Sequence, residues 1–171
     1  MTGFAARPFP SDGQHDPLLA RALLLNDGAT KIAIVSCDLI GISARTIAVL
    51  RARIAERSSI PGASIVFSCT HTHSAPATLR FRGVLGHVDE TWWAAAQEKI
   101  VAMVAGLEQQ LVPARLGIGA VKVDGISYNR QDQTRPFDTA LTCVGIDALS
   151  GGSVATLINF AVHPVTLSFG N

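Results

Sequence analysis

The chain has 171 residues, 48% of them apolar and 16% charged, and a formal net charge of +1 at pH 7. That length and apolar content support one domain with a real core and exclude a disordered chain. A near-neutral balance without any cluster of Lys or Arg argues against nucleic acid as a partner, because phosphate binding needs a basic face.

Residues 1–17 are rich in Gly, Pro and Asp and read as an irregular opening loop. The segment lacks an apolar stretch and carries Pro8 and Pro10, so it does not read as a signal peptide. His15, near its end, reads as a solvated loop histidine with a site-lining role as the alternative. Two apolar runs, 18–25 and 31–37, flank Asn26-Asp27-Gly28, a strong turn signal that predicts a β-hairpin. The second run is continuously apolar, reads as a central strand, and ends in Asp38. A carboxylate at the tip of a buried strand is a common functional position in α/β folds, and a turn or cap Asp is the plain alternative.

Ser43 can cap a helix reaching about Arg57, with Ile47, Leu50 and Ile54 on one face. Pro61-Gly62 then breaks the chain. A further apolar run, 64–69, leads into Thr70-His71-Thr72-His73-Ser74, and Pro76 stops it. Side chains alternate between faces along a strand, so His71 and His73 point the same way and Thr72 points opposite. Strand, helix, strand predicts a right-handed βαβ crossover between parallel strands. Asp38 and His71 then share the sheet edge where open α/β folds place ligands.

A loop over 75–88 precedes Asp89, which can cap a helix over about 90–109 with Trp93, Ala96, Ile100, Val104 and Leu107 as its apolar stripe. The two tryptophans read as packing residues. Strand 114–123 contains Gly117 and Gly119 and is expected to bulge or to pass close to another backbone. A polar loop containing Asn129-Arg130 follows, then strands 139–146 and 154–162 around Ser150-Gly151-Gly152, a second hairpin. The last strand leads to His163-Pro164. About six strands and two main helices make an α/β fold with a mixed β-sheet, taken as a single domain over 1–171. Two helices are too few to cover both faces of a sheet with parallel strands, so one face is expected to be bare and apolar. Cys37, Cys69 and Cys143 lie far apart in sequence within apolar runs, have no zinc spacing and cannot all pair. They read as buried free thiols and tilt the compartment toward the cytoplasm. No run approaches the roughly 20 apolar residues of a membrane span.

His71, His73 and His163 thus stand at the ends of apolar strands, as does Asp38. A catalytic zinc wants three protein ligands and one open position for water. A carboxylate standing behind a ligand ring, as Asp38 would, fixes that ring's orientation by hydrogen bonding. The alternative is a non-catalytic α/β module whose strand-end histidines are only hydrogen-bonded. A serine hydrolase using Ser74 with His73 is disfavoured, because no nucleophile-elbow motif surrounds Ser74.

Several blocks occur in an order that resembles the neutral/alkaline (non-lysosomal) ceramidase family. They are Gly3-Phe4-Ala5-Ala6-Arg7, His15-Asp16-Pro17-Leu18, Cys37-Asp38-Leu39-Ile40-Gly41, Thr70-His71-Thr72-His73-Ser74-Ala75-Pro76, Asn129-Arg130 and Asn159-Phe160-Ala161-Val162-His163-Pro164. The likeness is to part of the N-terminal catalytic domain. It implies zinc as cofactor, His71 and His163 as ligands, His73 beside the metal stabilising the tetrahedral intermediate, and Arg130 reaching into the same site. It implies attack of a metal-activated water on the amide of ceramide, giving fatty acid and sphingoid base. The family's remaining ligands, a Glu and a Tyr, come from further along than Asn171, so a completing part of a parent chain is expected and these 171 residues alone are expected to be weakly active or inactive. The loop Ser74-Ala75-Pro76-Ala77-Thr78 lacks the family's Gly-rich ending, which makes amide hydrolysis a firmer implication than ceramide itself.

Overall fold

The computed structural model describes residues 2–3, 9, 11–80 and 86–165. The chain divides into two compact units, one of Met1–Leu111 with Pro164–Asn171 and the other of Val112–His163.

The first unit holds β1 (Ala20–Asn26), β2 (Lys31–Cys37), α1 (Ala44–Arg57), β3 (Ile65–Cys69) and α2 (Glu90–Ala105). Its sheet runs β1-β2-β3, with β1 antiparallel to β2 and β2 parallel to β3. The hairpin closes where the sequence places it. Gly28 takes φ +92, and the Asp27 carboxylate accepts the Ala29 and Thr30 amides at 2.9 and 2.7 Å. That left-handed residue is why the Asn-Asp-Gly turn signal is readable.

Helix α1 starts because the Ser43 hydroxyl accepts the Thr46 amide at 3.1 Å, satisfying a donor that the first turn leaves open. Its inner face buries Leu50 and Ile54 completely. The Arg51 guanidinium reaches across to the Ile65 carbonyl at 2.8 Å and ties the helix to β3. Helix α2 is capped by Asp89, which accepts the Trp92 amide at 2.9 Å. It buries Trp93, Ile100, Val101 and Val104, a wider stripe than the 3–4 spacing predicts, and ends at Ala105 in a 3-10 turn over Gly106–Gln110. Both helices feed one cluster with Val35, Ile60 and Ile65. Polar ties close its rim: Glu108 accepts from Lys31 and from the Ser59 amide at 2.9 Å, and Glu98 pairs with Arg53 and Arg57.

The second unit is an antiparallel meander of β4 (Ala114–Lys122), β5 (Ala140–Ala148) and β6 (Ser153–Phe160). Gly151 and Gly152, at φ +100 and +88, form the predicted second hairpin turn. Among the described residues the six strands thus form two ladders of three. Gly117 and Gly119 pair in regular register with Gly145 and Cys143, and a Cβ at either would meet no described atom within 4 Å. The expected bulge lies instead between Ile146 and Asp147. Leu116 and Ile118 on one face, and Val121 and Ile158 on the other, are each more than half exposed. Apolar side chains thus remain uncovered on both faces of this ladder, beyond the single bare face the helix count predicts.

Candidate active site

The parallel ladder of β2 and β3 pairs Cys37 with Cys69 and then continues past both strand ends. The Thr70 amide donates to the Cys37 carbonyl at 3.0 Å, and the His71 amide to the Leu39 carbonyl at 3.0 Å. His71 itself has φ +61. The strand therefore stops at Cys69, and the alternation expected to place both imidazoles on one face does not operate. A strand cannot carry a left-handed residue, and the chain turns at His71.

The turn nonetheless brings the two imidazoles together. Their centroids lie 5.1 Å apart, edge to face, with a ring nitrogen of each within 4.8 Å of the other's. The Nδ1 of His71 lies 2.7 Å from the Ile40 carbonyl oxygen. A carbonyl only accepts, so Nδ1 carries the proton and Nε2 carries the lone pair in the neutral ring. A histidine that ligates a metal through Nε2 commonly has this arrangement. His71 is exposed and His73 half-buried. The loop beyond them is anchored: the Thr72 hydroxyl accepts the Ser74 amide at 3.2 Å, and the buried Thr78 hydroxyl donates to the Gly41 carbonyl at 2.6 Å. Residues 37–41 thus hold both ends of the histidine loop.

Asp38 stands at the tip of β2, adjacent to the strand that leads into the His71 turn, as the βαβ reading predicts. Its carboxylate accepts the Leu19 amide at 3.0 Å and lies 3.5 Å from the Arg21 guanidinium. It lines a cleft of about 570 Å³ with Leu18, Leu19, Trp92, Trp93 and Lys99. Trp93 is buried in the core as expected, and Trp92 stacks on it at 6.0 Å. Beside Asp38, the Cys37 thiol is pushed up to about 12, first by burial and then by the neighbouring Cys69 and Asp38.

Arg130 and His163 belong to the second unit. Arg130 is exposed and follows Asn129, whose side-chain oxygen accepts the Gln131 and Asp132 amides at 3.1 and 3.3 Å. His163 is exposed and lies three residues past the end of β6. His15 is solvated, with its side chain 97% exposed and paired only to Asp16 among the described contacts. Residues 4–7 of the N-terminal motif and 81–85 of the loop after the histidines lie outside the described residues. The anchoring groups, the Ile40 carbonyl above all, were invisible in the sequence, because a backbone carbonyl has no residue signature.

The elements define a mixed α/β fold with a parallel strand pair whose shared edge carries histidines. No family model matches the chain. A ceramidase solved as a complex with C2 shares the fold at TM-score 0.84 and 22% identity, over 100% of this chain and 30% of that one. The neutral ceramidase from Pseudomonas aeruginosa gives 0.73 and 22%, over 89% and 27%. The chain has the fold of one part of a ceramidase and spans under a third of the length of either.

Proposed function

We propose that the chain is part of a zinc-dependent hydrolase cleaving an N-acyl amide bond, in ceramide or a related linear amide, to a fatty acid and an amine. The observation that carries this reading is the lock of His71 Nδ1 on the Ile40 carbonyl beside His73, at the loop edge of a ceramidase-like fold. The order of the Thr-His-Thr-His-Ser and Phe-Ala-Val-His-Pro motifs supports it. We read the 171 residues as one partial catalytic domain that further chain completes.

His71 presents Nε2 as one ligand, and His163, a histidine before a Pro in the matching motif, is the other that this chain supplies. Zinc held there supplies Lewis-acid polarisation of the amide carbonyl and a water acidic enough to react near neutral pH. His73, next to His71, donates to the carbonyl oxygen as negative charge develops on it. Arg130 adds a cationic donor to the same oxygen. Asp38 acts from behind: by holding the Leu19 amide it steadies the tip of β2, from which residues 39 and 40 bind His71. The neighbours are ceramidases, which supports a lipid amide as the substrate, and among the described residues no helix is long and apolar enough to cross a membrane.

Zinc content of the full-length parent protein, measured by mass spectrometry for wild type, His71→Ala, His163→Ala and the control His15→Ala, tests the reading. Loss of zinc in the first two with retention in the control is expected. Undiminished zinc in both would sink it. The His71 ring bond to Ile40 also fits a second reading, a non-catalytic module with a hydrogen-bonded histidine. That reading requires no stoichiometric zinc and an unchanged melting temperature in chelator.

A further inference from the structure

We propose that Gly3 is a positioning residue for His73: its bare α-carbon is the wall that sets the imidazole. An ideal Cβ on Gly3 would stand 2.5 Å from His73 Cγ, 2.7 Å from Nδ1 and 2.8 Å from Cβ. No side chain, not even a methyl group, fits there without displacing the ring. Gly3 also has φ +106, a conformation that glycine alone adopts at little cost. The contact is not a chance approach of a loose end. The neighbouring Thr2 is 2% exposed, and its amide donates to the carbonyl of Ala75 at 2.9 Å. Ala75 is itself fully buried, two residues past His73. Residues 2–3 therefore form a strap bonded to the very loop whose ring they press on. His73 meets that strap, and it meets the edge of His71 5.1 Å away. A group that must face a reacting carbonyl gains from such a stop, because small displacements of a positioned side chain cost large factors in rate.

The inference rests on the reading of His73 as a substrate-facing group, and its test separates the two. The first measurement is a double-mutant cycle in the full chain, reading the urea midpoint of unfolding. Gly3→Ala is made in wild type and in a His73→Gly background, which removes all three atoms that the methyl would strike. The expected result is a loss of midpoint in wild type that shrinks by at least half in the His73→Gly background, leaving only the cost of φ. An equal loss in both backgrounds overturns the proposal.

The second measurement serves if Gly3→Ala does not fold. Residues 1–3 are deleted, and the ring carbon–proton signals of His73 are followed by NMR. A shift of the His73 signals with those of His15 unmoved is expected. Unmoved His73 signals overturn the proposal. In hydrolysis by the full-length parent, Gly3→Ala is expected to lower kcat about 10- to 100-fold with KM within about twofold and zinc retained. A loss confined to KM overturns the positioning role and leaves the zinc reading standing. Absence of zinc from the full-length wild-type parent removes that reading, and the cycle still reports whether Gly3 sets the ring.

Discussion

His71 and Ile40 are joined by a 2.7 Å bond from an imidazole Nδ1 to a backbone carbonyl, and the His71 amide is bonded to Leu39 one residue earlier. Two successive residues of the β2 extension therefore hold both the backbone and the ring of one histidine. They hold it in a left-handed conformation at φ +61, which costs an L-residue roughly 1–2 kcal/mol. Two hydrogen bonds at about 1 kcal/mol each are enough to offset that. The consequence is a ring whose orientation is set before any ligand arrives.

The backbone strain at His71 is separable from its ring chemistry. His71→Asn should keep the fold, because Asn tolerates the left-handed region, whereas His71→Val should be less stable than His71→Asn by about 1–3 kcal/mol in urea denaturation. Both should lose zinc. Equal stability of the two variants would contradict the turn at His71.

The platform under the histidine loop depends on α1. Ile54 is fully buried, so Ile54→Ala should cost about 2–5 kcal/mol. Ser43 begins the helix directly after residues 37–41, and Ser43→Ala should cost about 1 kcal/mol, with Ser43→Asp close to wild type. Chemical denaturation of the three variants checks the order.

Acid should weaken the rim of the first unit in a defined window. Hydrogen bonds from Lys31 and Ser59 hold the Glu108 carboxyl down to about 2, below its ordinary 4.5. A depressed carboxyl stabilises the fold above its unfolded value, and that stability is lost as pH falls from about 4.5 toward 2. Glu108→Gln should therefore be less stable than wild type at pH 6, and the gap should close by pH 2–3. A gap that is constant across that range would contradict the assignment.

Thiol chemistry offers the opposite sign. Burial keeps Cys37 neutral up to about 12 against an ordinary 9.0, which leaves on the order of 1000-fold less thiolate at pH 8 than in the unfolded chain. Cys37 should react with an alkylating agent at least 100-fold faster in urea than in the folded protein. The stability it contributes should be intact below pH 9 and fall as pH rises toward 12, which alkaline unfolding of wild type against Cys37→Ala would measure.

Much of the first unit was legible in the sequence because its signals are local. The Asn-Asp-Gly turn, the Ser43 and Asp89 caps, and the apolar spacing of Leu50 and Ile54 each act within a few residues, and each element formed where they put it. The pairing of β2 with β3 followed from strand–helix–strand order, and it brought Asp38 and the histidine loop to one edge. Cys37 and Cys69, far apart in sequence, became direct partners through that same register.

Tertiary structure alone decided the rest. Strand alternation could not foresee that β3 stops at Cys69, because the left-handed turn at His71 is held by carbonyls of residues 39 and 40, more than thirty positions away. Glycine at position 3 shows nothing of its contact with His73 until the chain is folded. Local propensity acts through neighbours in sequence, and the sequence shows it. The groups that aim a functional side chain are backbone atoms brought in from a distance, and only the fold supplies them.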